Sequence, residues 1–350
     1  MIALTAVDIK FLVRELQKEI EKAIVEKIYQ LAEKEMIIVL HSPGAGKKLL
    51  RIVAGQAASL TKEKGEAKEN PTAFSMTLRK YLKQARILSI VQREFERIIE
   101  INFSNEYKLI LELFSKGNVI LLDKEGKITA LLERQEWKHR TLEKGKIYVY
   151  PPQTINPFKL SEEEFRTRYN ESDKESAVKI LASDFALGGK YAEEVCALAK
   201  VDKQARRIDS IKLWRTVQTL ESKKLNPNII DKGIKKEISP IELISEEKAK
   251  KQYFNTISEA LESYEKNYGK EVVEKQEEKE KLGELAQMQK EHIEELKKEA
   301  EDFKKIGDLI YAKYAEIDQI IREIKEKRWN VANPMIKEMK KAEGKVIIEL

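Results

Sequence analysis

Between Pro71 and Arg97 the chain gathers Arg79, Lys80, Lys83, Arg86, Arg93 and Arg97 against only Glu94 and Glu96, a local charge of +4. A second cluster, Lys138, Arg140, Lys144 and Lys146 against Glu143, adds +3 beside Trp137. Cations concentrated on one face make an electrostatic footprint for phosphates. The same charges spread over a helix make an ordinary solvated face, and charge alone does not separate the two. Leu187-Gly188-Gly189-Lys190 has the form of a helix-hairpin-helix turn, whose amides and following helix N-terminus hold a phosphate. Glycines also cap helices routinely. Glu96-Arg97, between two expected strands, reads either as a functional pair or as a surface ion pair of little energetic weight.

Enzyme signatures are missing. The chain has no Gly-x-Ser-x-Gly elbow, no His-Glu-x-x-His and no Cys-x-x-Cys. Ser42-Pro-Gly-Ala-Gly-Lys-Lys48 lacks the spacing of a phosphate loop and the Ser/Thr that should follow, so its glycines are assigned to a hairpin. The lone Cys196 excludes an internal disulfide and reads as a small core residue of a helix. His41, His139 and His292 stand far apart, so neither a metal site nor any cofactor is expected.

The elements that would carry these residues mix two periods. Val7–Ile20 has apolar residues at helical spacing, among them Phe11, Leu12, Leu16 and Ile20. Short Ile/Leu/Val-rich runs at Ala23–Leu31, Met36–His41 and Leu49–Val53 predict strands. Asn70-Pro71 opens a helix running to about Gln84, with Thr72 and Ser75 near its start. Five further strands follow, Ile87–Gln92, Ile98–Phe103, Lys108–Leu113, Asn118–Asp123 and Ile128–Glu133, broken by turns such as Ser115-Lys116-Gly117. Closely spaced strands joined by turns mean antiparallel meanders, so the first part of the chain is α+β, a sandwich with helices at its edges.

Composition changes after Pro151-Pro152 and Asn156-Pro157. Short helices fill Ser161 to about Leu220, and a polar, Lys-rich stretch with Asn226-Pro227 and Gly233 reads as a linker. Beyond it Ala286, Gln289, Ile293, Leu296, Ala300, Phe303, Gly307, Ile310, Tyr314, Ile317, Ile321 and Ile324 alternate in steps of three and four, a heptad seam that predicts a coiled coil. At 1.5 Å per residue that helix reaches roughly 60 Å. Its seam needs a partner: a second chain, or a returning helix beyond Leu350, since the apolar run Lys345–Leu350 has no closing element and reads as a truncation. The expected divisions are 1–160, 161–225, a linker over 226–250, and a coiled-coil region over 251–350.

With 350 residues, 42% hydrophobic and 36% charged, the chain is too long for one ordinary domain and too apolar for disorder. A net charge of +6 permits a polyanionic partner without requiring one. Met1–Glu15 lacks a signal-peptide pattern, and no run approaches the roughly 18 apolar residues of a membrane helix. A cytoplasmic protein without membrane contact is expected. The abundance of Lys, Glu and Ile suits a thermophile.

Several segments, in order, resemble the NFACT family of ribosome quality-control factors, the RqcH- and NEMF-like proteins often labelled fibronectin-binding protein A-like. These are Pro71-Thr-Ala-Phe-Ser-Met-Thr-Leu-Arg-Lys-Tyr-Leu, Gly117-Asn-Val-Ile-Leu-Leu-Asp, Tyr148-x-x-Pro-Pro152, Leu181-Ala through Gly188-Gly-Lys-Tyr-Ala-Glu-Glu194, and Ile306-Gly-Asp-Leu-Ile-Tyr311. The resemblance, to an archaeal member without its C-terminal RNA-binding domain, implies a glycosylase-like N-terminal domain, a helix-hairpin-helix module and a long antiparallel coiled coil. It further implies an adaptor, not an enzyme, that binds tRNA and the obstructed large ribosomal subunit with its peptidyl-tRNA. Such adaptors support template-free C-terminal tailing of the stalled chain. Asp8 and the pair Glu96-Arg97, with Glu where the family has Asp, match the family's tRNA-handling residues.

The expected tRNA-binding set is therefore Asp8, Arg79, Lys80, Lys83, Arg86, Glu96 and Arg97, with Gly188, Gly189 and Lys190 as a phosphate-binding hairpin. Two other classes compete: a DNA- or RNA-processing protein of the glycosylase-like fold, and a coiled-coil scaffold without RNA binding. Glycosylases of this kind use an N-terminal proline amine as nucleophile, and here Ile2 follows Met1.

Overall fold

A computed structural model of the chain describes residues 4–66, 70–137, 140–233, 235–326 and 329–349, with backbone alone over 270–286. Met1, Ile2, Lys138 and His139, and the side chain of Ala286, lie outside the described residues. Two compact units are present, Met1–Val272 and Val273–Leu350.

The first unit opens with α1 (Ala6–Ile20), closed at its start by a capping box. Thr5 Oγ1 accepts from the Asp8 amide at 3.2 Å while Asp8 Oδ2 accepts from the Thr5 amide at 2.8 Å. Val7, Phe11, Leu12, Leu16 and Ile20 bury the apolar face, and Lys22 (φ +69°) ends the helix in the left-handed region. Then comes an antiparallel meander, β1 (Ile24–Gln30), β2 (Glu35–Ser42), β3 (Gly46–Val53) and β4 (Ala57–Thr61). Ser42 faces Gly46 across the β2–β3 hairpin, the turn assigned to those glycines. β4 was not foreseen in the sequence, since Ala-Ala-Ser-Leu-Thr carries little β-branched apolar signal.

Helix α2 (Ala73–Leu82), capped by the Thr72 side chain, leads into a five-stranded meander. Its strands are β5 (Ile87–Gln92), β6 (Ile98–Phe103), β7 (Lys108–Glu112), β8 (Asn118–Leu122) and β9 (Ile128–Leu131). Backbone bonds Lys22 N–H to Ile87 O (2.9 Å) and Val25 N–H to Ala85 O (3.0 Å) stitch the two sheets together at β1 and β5. The inner faces of both sheets share one core with α1. The outer face of the second sheet is also covered, as Ile98, Ile110 and Ile120 pack with Leu142 and Tyr148. Burial on both faces explains why β8 reads as an unbroken apolar run instead of an alternation. The covering hairpin, β10 (Gln135–Trp137) and β11 (Arg140–Leu142), is too short to show a period.

Four helices follow: α3 (Glu162–Glu171), α4 (Ala177–Ser183), α5 (Gly188–Leu198) and α6 (Ser210–Glu221). Their apolar residues, among them Phe165, Tyr191 and Leu213, belong to the same continuous core. The stretch 226–250, expected as a linker, is instead folded. β12 (Asn228–Asp231) pairs on both sides, with β13 (Lys236–Ser239) and β14 (Lys250–Tyr253). Ile229, Ile230, Ile238, Ile241 and Leu243 are buried among exposed charges, so the segment's average composition conceals its core contribution.

Helix α7 runs over Ile257–Ala312. Its root in the first unit is held by a carboxylate from another helix. Glu15 accepts from the Ile257 amide (2.5 Å), the Ser258 amide (3.0 Å) and the Ser258 hydroxyl (2.5 Å), supplying negative charge where a helix leaves donors unsatisfied. Arg51 adds ion pairs to Glu35 and Glu265. Glu15→Ala is expected to cost about 2 kcal/mol, the upper range for a lost helix cap. A lower urea midpoint together with faster hydrogen exchange at Ile257 and Ser258 would report it; an unchanged midpoint would mean that the Arg51 pairs suffice.

In the second unit α8 (Tyr314–Glu326) follows Lys313, where the helical run breaks. Then the region expected to be coiled coil through residue 350 turns into a β-hairpin, β15 (Ile336–Lys340) and β16 (Lys345–Ile348). The hairpin's Ile336, Val346 and Ile348 pack on Ile320, Ile324 and Val331, which is where the apolar tail residues go. Along the seam Ile293, Leu296, Phe303 and Tyr314 are exposed. Among the described residues no helix is long and apolar enough to cross a membrane.

Candidate nucleic-acid interface

The turn between β5 and β6 carries Glu94, Phe95, Glu96 and Arg97, with Glu94 at φ +46°. It is tied to the start of α1 by Gln92, whose Nε2 donates to Ala6 O at 2.8 Å and to Glu96 O at 2.9 Å. The two elements flank a cleft of about 460 Å³. Leu4, Ala6, Phe95, Phe114 and Pro151 give it apolar walls, and Thr5, Thr154, Glu96 and Arg97 bring the polar atoms.

Arg97 is half-buried, and its guanidinium makes no hydrogen bond or close ion pair to any described residue. Burial pulls its pKa below the usual arginine value, with the Glu96 charge opposing that shift. A guanidinium remains charged nonetheless, so Arg97 brings N–H donors to the cleft wall that have no acceptor among the described residues. Glu96, in contrast, has partners: its Oε1 accepts from the Thr154 amide at 2.6 Å and the Thr154 hydroxyl at 2.8 Å.

Asp8, expected beside them as a binding residue, is 1% exposed. Lys190 Nζ donates to both of its oxygens (2.7 and 3.0 Å), and the Tyr191 hydroxyl donates to Oδ1 at 2.7 Å. With the Thr5 amide and hydroxyl on Oδ2, the carboxylate is fully occupied inside the protein. Burial and the Asp8 charge raise the Tyr191 pKa well above the tyrosine norm, keeping it a donor. Lys190 also donates to Ile238 O at 2.7 Å, so it faces inward and is not the phosphate ligand its motif suggested. Gly188, at φ +72°, lies in the left-handed region that favours glycine, and a Cβ there would stand 3.2 Å from Thr5 Cγ2, a tight contact that Thr5 would have to relieve. Gly188 and Gly189 begin α5, whose first turn has no side-chain cap.

The α2 cations divide. Arg79 Nε donates to Ile28 O at 2.7 Å and the guanidinium lies 5.5 Å from the Tyr29 ring, covering the β1 edge. Lys80, Lys83 and Arg86 are exposed and have no acidic partner among the described residues. Lys27, Arg79 and Lys83 with Tyr29 line a groove of about 320 Å³. Arg93 stacks over Tyr150 at 4.4 Å, 3.9 Å from Glu100. In the second cluster Arg140 is buried against Glu112 (2.7 and 3.0 Å) and Trp137 (4.4 Å), while Lys146 pairs with Glu143 at 2.9 Å. Of the four cations in that cluster, Arg140 and Lys146 are thus paired within the chain, while Lys138 lies outside the described residues. Thr5, Gln92 and Thr154 were not anticipated; only the Pro151-Pro152 punctuation marked the neighbourhood of the last.

Among the described residues no group of three His, Cys, Asp or Glu is placed to hold a metal ion. Residues 5–339 match the family described as NFACT N-terminal and middle domains. The chain is 32% identical over 294 residues to the archaeal Rqc2 homolog aRqcH of Methanocaldococcus jannaschii, covering 78% of this chain and 44% of that one. It is 28% identical to ribosome quality control complex subunit 2 of Saccharomyces cerevisiae, over 58% of this chain and 20% of that protein. The chain thus spans less than half the length of these curated relatives. In structure it is similar to the N-terminal part of the fibronectin/fibrinogen-binding protein from Streptococcus suis, with a TM-score of 0.64, 25% identity, and coverage of 76% of this chain and 100% of that one. With the match spanning nearly the whole sequence, the chain belongs to the NFACT family.

Proposed function

We propose that this chain is the tRNA-gripping part of a ribosome quality-control adaptor, which engages the obstructed large subunit with its peptidyl-tRNA and supports template-free tailing of the stalled chain. The observation that carries the reading is Arg97: a half-buried guanidinium without an acceptor among the described residues, at a cleft with apolar walls. Such a group binds phosphate bidentately or stacks on a base. Lys80, Lys83 and Arg86 would add screened attraction to the RNA backbone. Peptide transfer in this reading is the ribosome's chemistry, and the protein contributes position and proximity. The first unit is read as a glycosylase-like domain with α4 and α5 as its helix-hairpin-helix. The exposed seam of α7 is read as one strand of a coiled coil, in a cytoplasmic protein. The names of the relatives, which are ribosome quality control factors, support the assignment.

The test is tRNA binding over a salt series. Arg97→Ala is expected to raise Kd by about tenfold, the effect of one charge-assisted contact. Neutralising Lys83 is expected to weaken binding less and to lower the salt slope by about one. Equal affinity in wild type and Arg97→Ala would remove the cleft from the binding site.

A further inference from the structure

Three consecutive residues of the β5–β6 turn each hold one residue of the strap that follows Pro151-Pro152. Glu94 pairs with Lys159 at 2.7 Å, the Phe95 ring meets Phe158 edge-on at 5.5 Å, and Glu96 Oε1 takes both hydrogen bonds from Thr154. The first of these contacts is exposed and adds little. The second anchors the far end of the strap in apolar packing. The third lies at the cleft, where Pro151 and Thr154 form part of the wall beside Arg97.

We propose that Glu96 is a positioning residue: it latches the 151–159 strap through Thr154 and so shapes the cleft in which Arg97, not Glu96, meets the RNA. The inference rests on the tRNA reading for its ligand, but the latch itself is a property of the fold. A carboxylate pointing freely into an RNA site repels phosphates, whereas one fixed by two donors has a set rotamer and a structural task. The hydrogen bond from the Thr154 N–H to Glu96 Oε1 is short and charge-assisted, the stronger class. Glutamate has the reach for this bond across the turn, and one methylene less would draw the carboxylate back from Thr154. Oε2 takes no bond from a described residue, so the rival role is a carboxylate that reads base donors directly.

Glu96→Gln separates the two, because an amide oxygen can still accept from Thr154 but carries no charge. In the full chain, tRNA affinity and hydrogen exchange at the Thr154 amide are measured for Glu96→Gln, Glu96→Ala, Thr154→Ala and Arg97→Ala. Glu96→Gln is expected to stay within about twofold of wild type in both, while Glu96→Ala weakens binding and speeds exchange by about tenfold each. Thr154→Ala should fall between them. Two outcomes overturn the proposal: Glu96→Gln binding as poorly as Glu96→Ala with Thr154 still protected, or Thr154 exchanging equally fast in wild type and Glu96→Ala. If wild type and Arg97→Ala bind tRNA alike, the tRNA reading fails, and the exchange comparison alone decides the latch.

Discussion

Gly117→Ala is expected to destroy the folded state of the first unit, with a cost above about 4 kcal/mol. Gly117 sits at φ +68° in the β7–β8 turn, against the turn between β3 and β4. A Cβ there would stand 1.8 Å from Gly55 N, 2.3 Å from Gly55 Cα and 2.4 Å from the Ala54 carbonyl carbon. All three are backbone atoms, so no rotamer change relieves the overlap. Nor can the turns part easily, since Gly55 N–H donates to Glu112 O at 3.0 Å. Gly126→Ala is the control: its φ is +78°, yet nothing lies within 4 Å of where its Cβ would sit. That variant should lose only the conformational cost of about 1 kcal/mol. Urea denaturation of both variants decides. A Gly117→Ala midpoint near that of Gly126→Ala would mean the two turns separate without penalty.

The turn that holds Gly117 was legible in the sequence, and so was the meander around it; the contact that makes the glycine obligatory was not. Turn chemistry and strand period are local, whereas the approach of Gly55 joins two different sheets. The same division runs through the candidate site. Charge counting found Arg79 to Arg97 as one basic stretch, but a count cannot say which cations the fold neutralises. Arg93 leans on Tyr150 and Glu100, Arg140 is clamped by Glu112, and Lys190 reaches across 182 positions to Asp8. Arg97, Lys80, Lys83 and Arg86 have no close acidic partner among the described residues. Carboxylates were harder still. Glu15 and Glu96 look like ordinary surface acids in sequence, and their partners, Ser258 and Thr154, lie 243 and 58 positions away. The β12–β14 sheet was hidden for another reason: its strands are four residues long, and their few isoleucines are outnumbered by flanking lysines.

Asp8→Ala is the second variant expected to have a large effect, and it bears on what a loss of RNA binding would mean. The Asp8 and Lys190 side chains are 2% and 8% exposed, so removing the carboxylate strands a buried ammonium together with the Tyr191 hydroxyl and the Thr5 amide. Breaking a buried pair in this way costs about 3–5 kcal/mol, more than the pair contributes when intact. Removing the stranded charge as well, in Asp8→Ala/Lys190→Met, should therefore recover part of the loss. It should not recover all of it, because Tyr191 and Thr5 still lack their acceptor and Ile238 O loses its donor. Thermal denaturation of the single and double variants tests this order. If the double variant is less stable than Asp8→Ala, the cost comes from lost hydrogen bonds and not from the unpaired charge. A buried Asp8 also predicts that the folded fraction of Asp8→Ala keeps tRNA affinity within about twofold, unlike the tenfold loss expected for Arg97→Ala. An Asp8 variant that unfolds would otherwise mimic a binding defect, so affinity must be read where both proteins are folded. A tenfold loss in fully folded Asp8→Ala would return this residue to the binding surface.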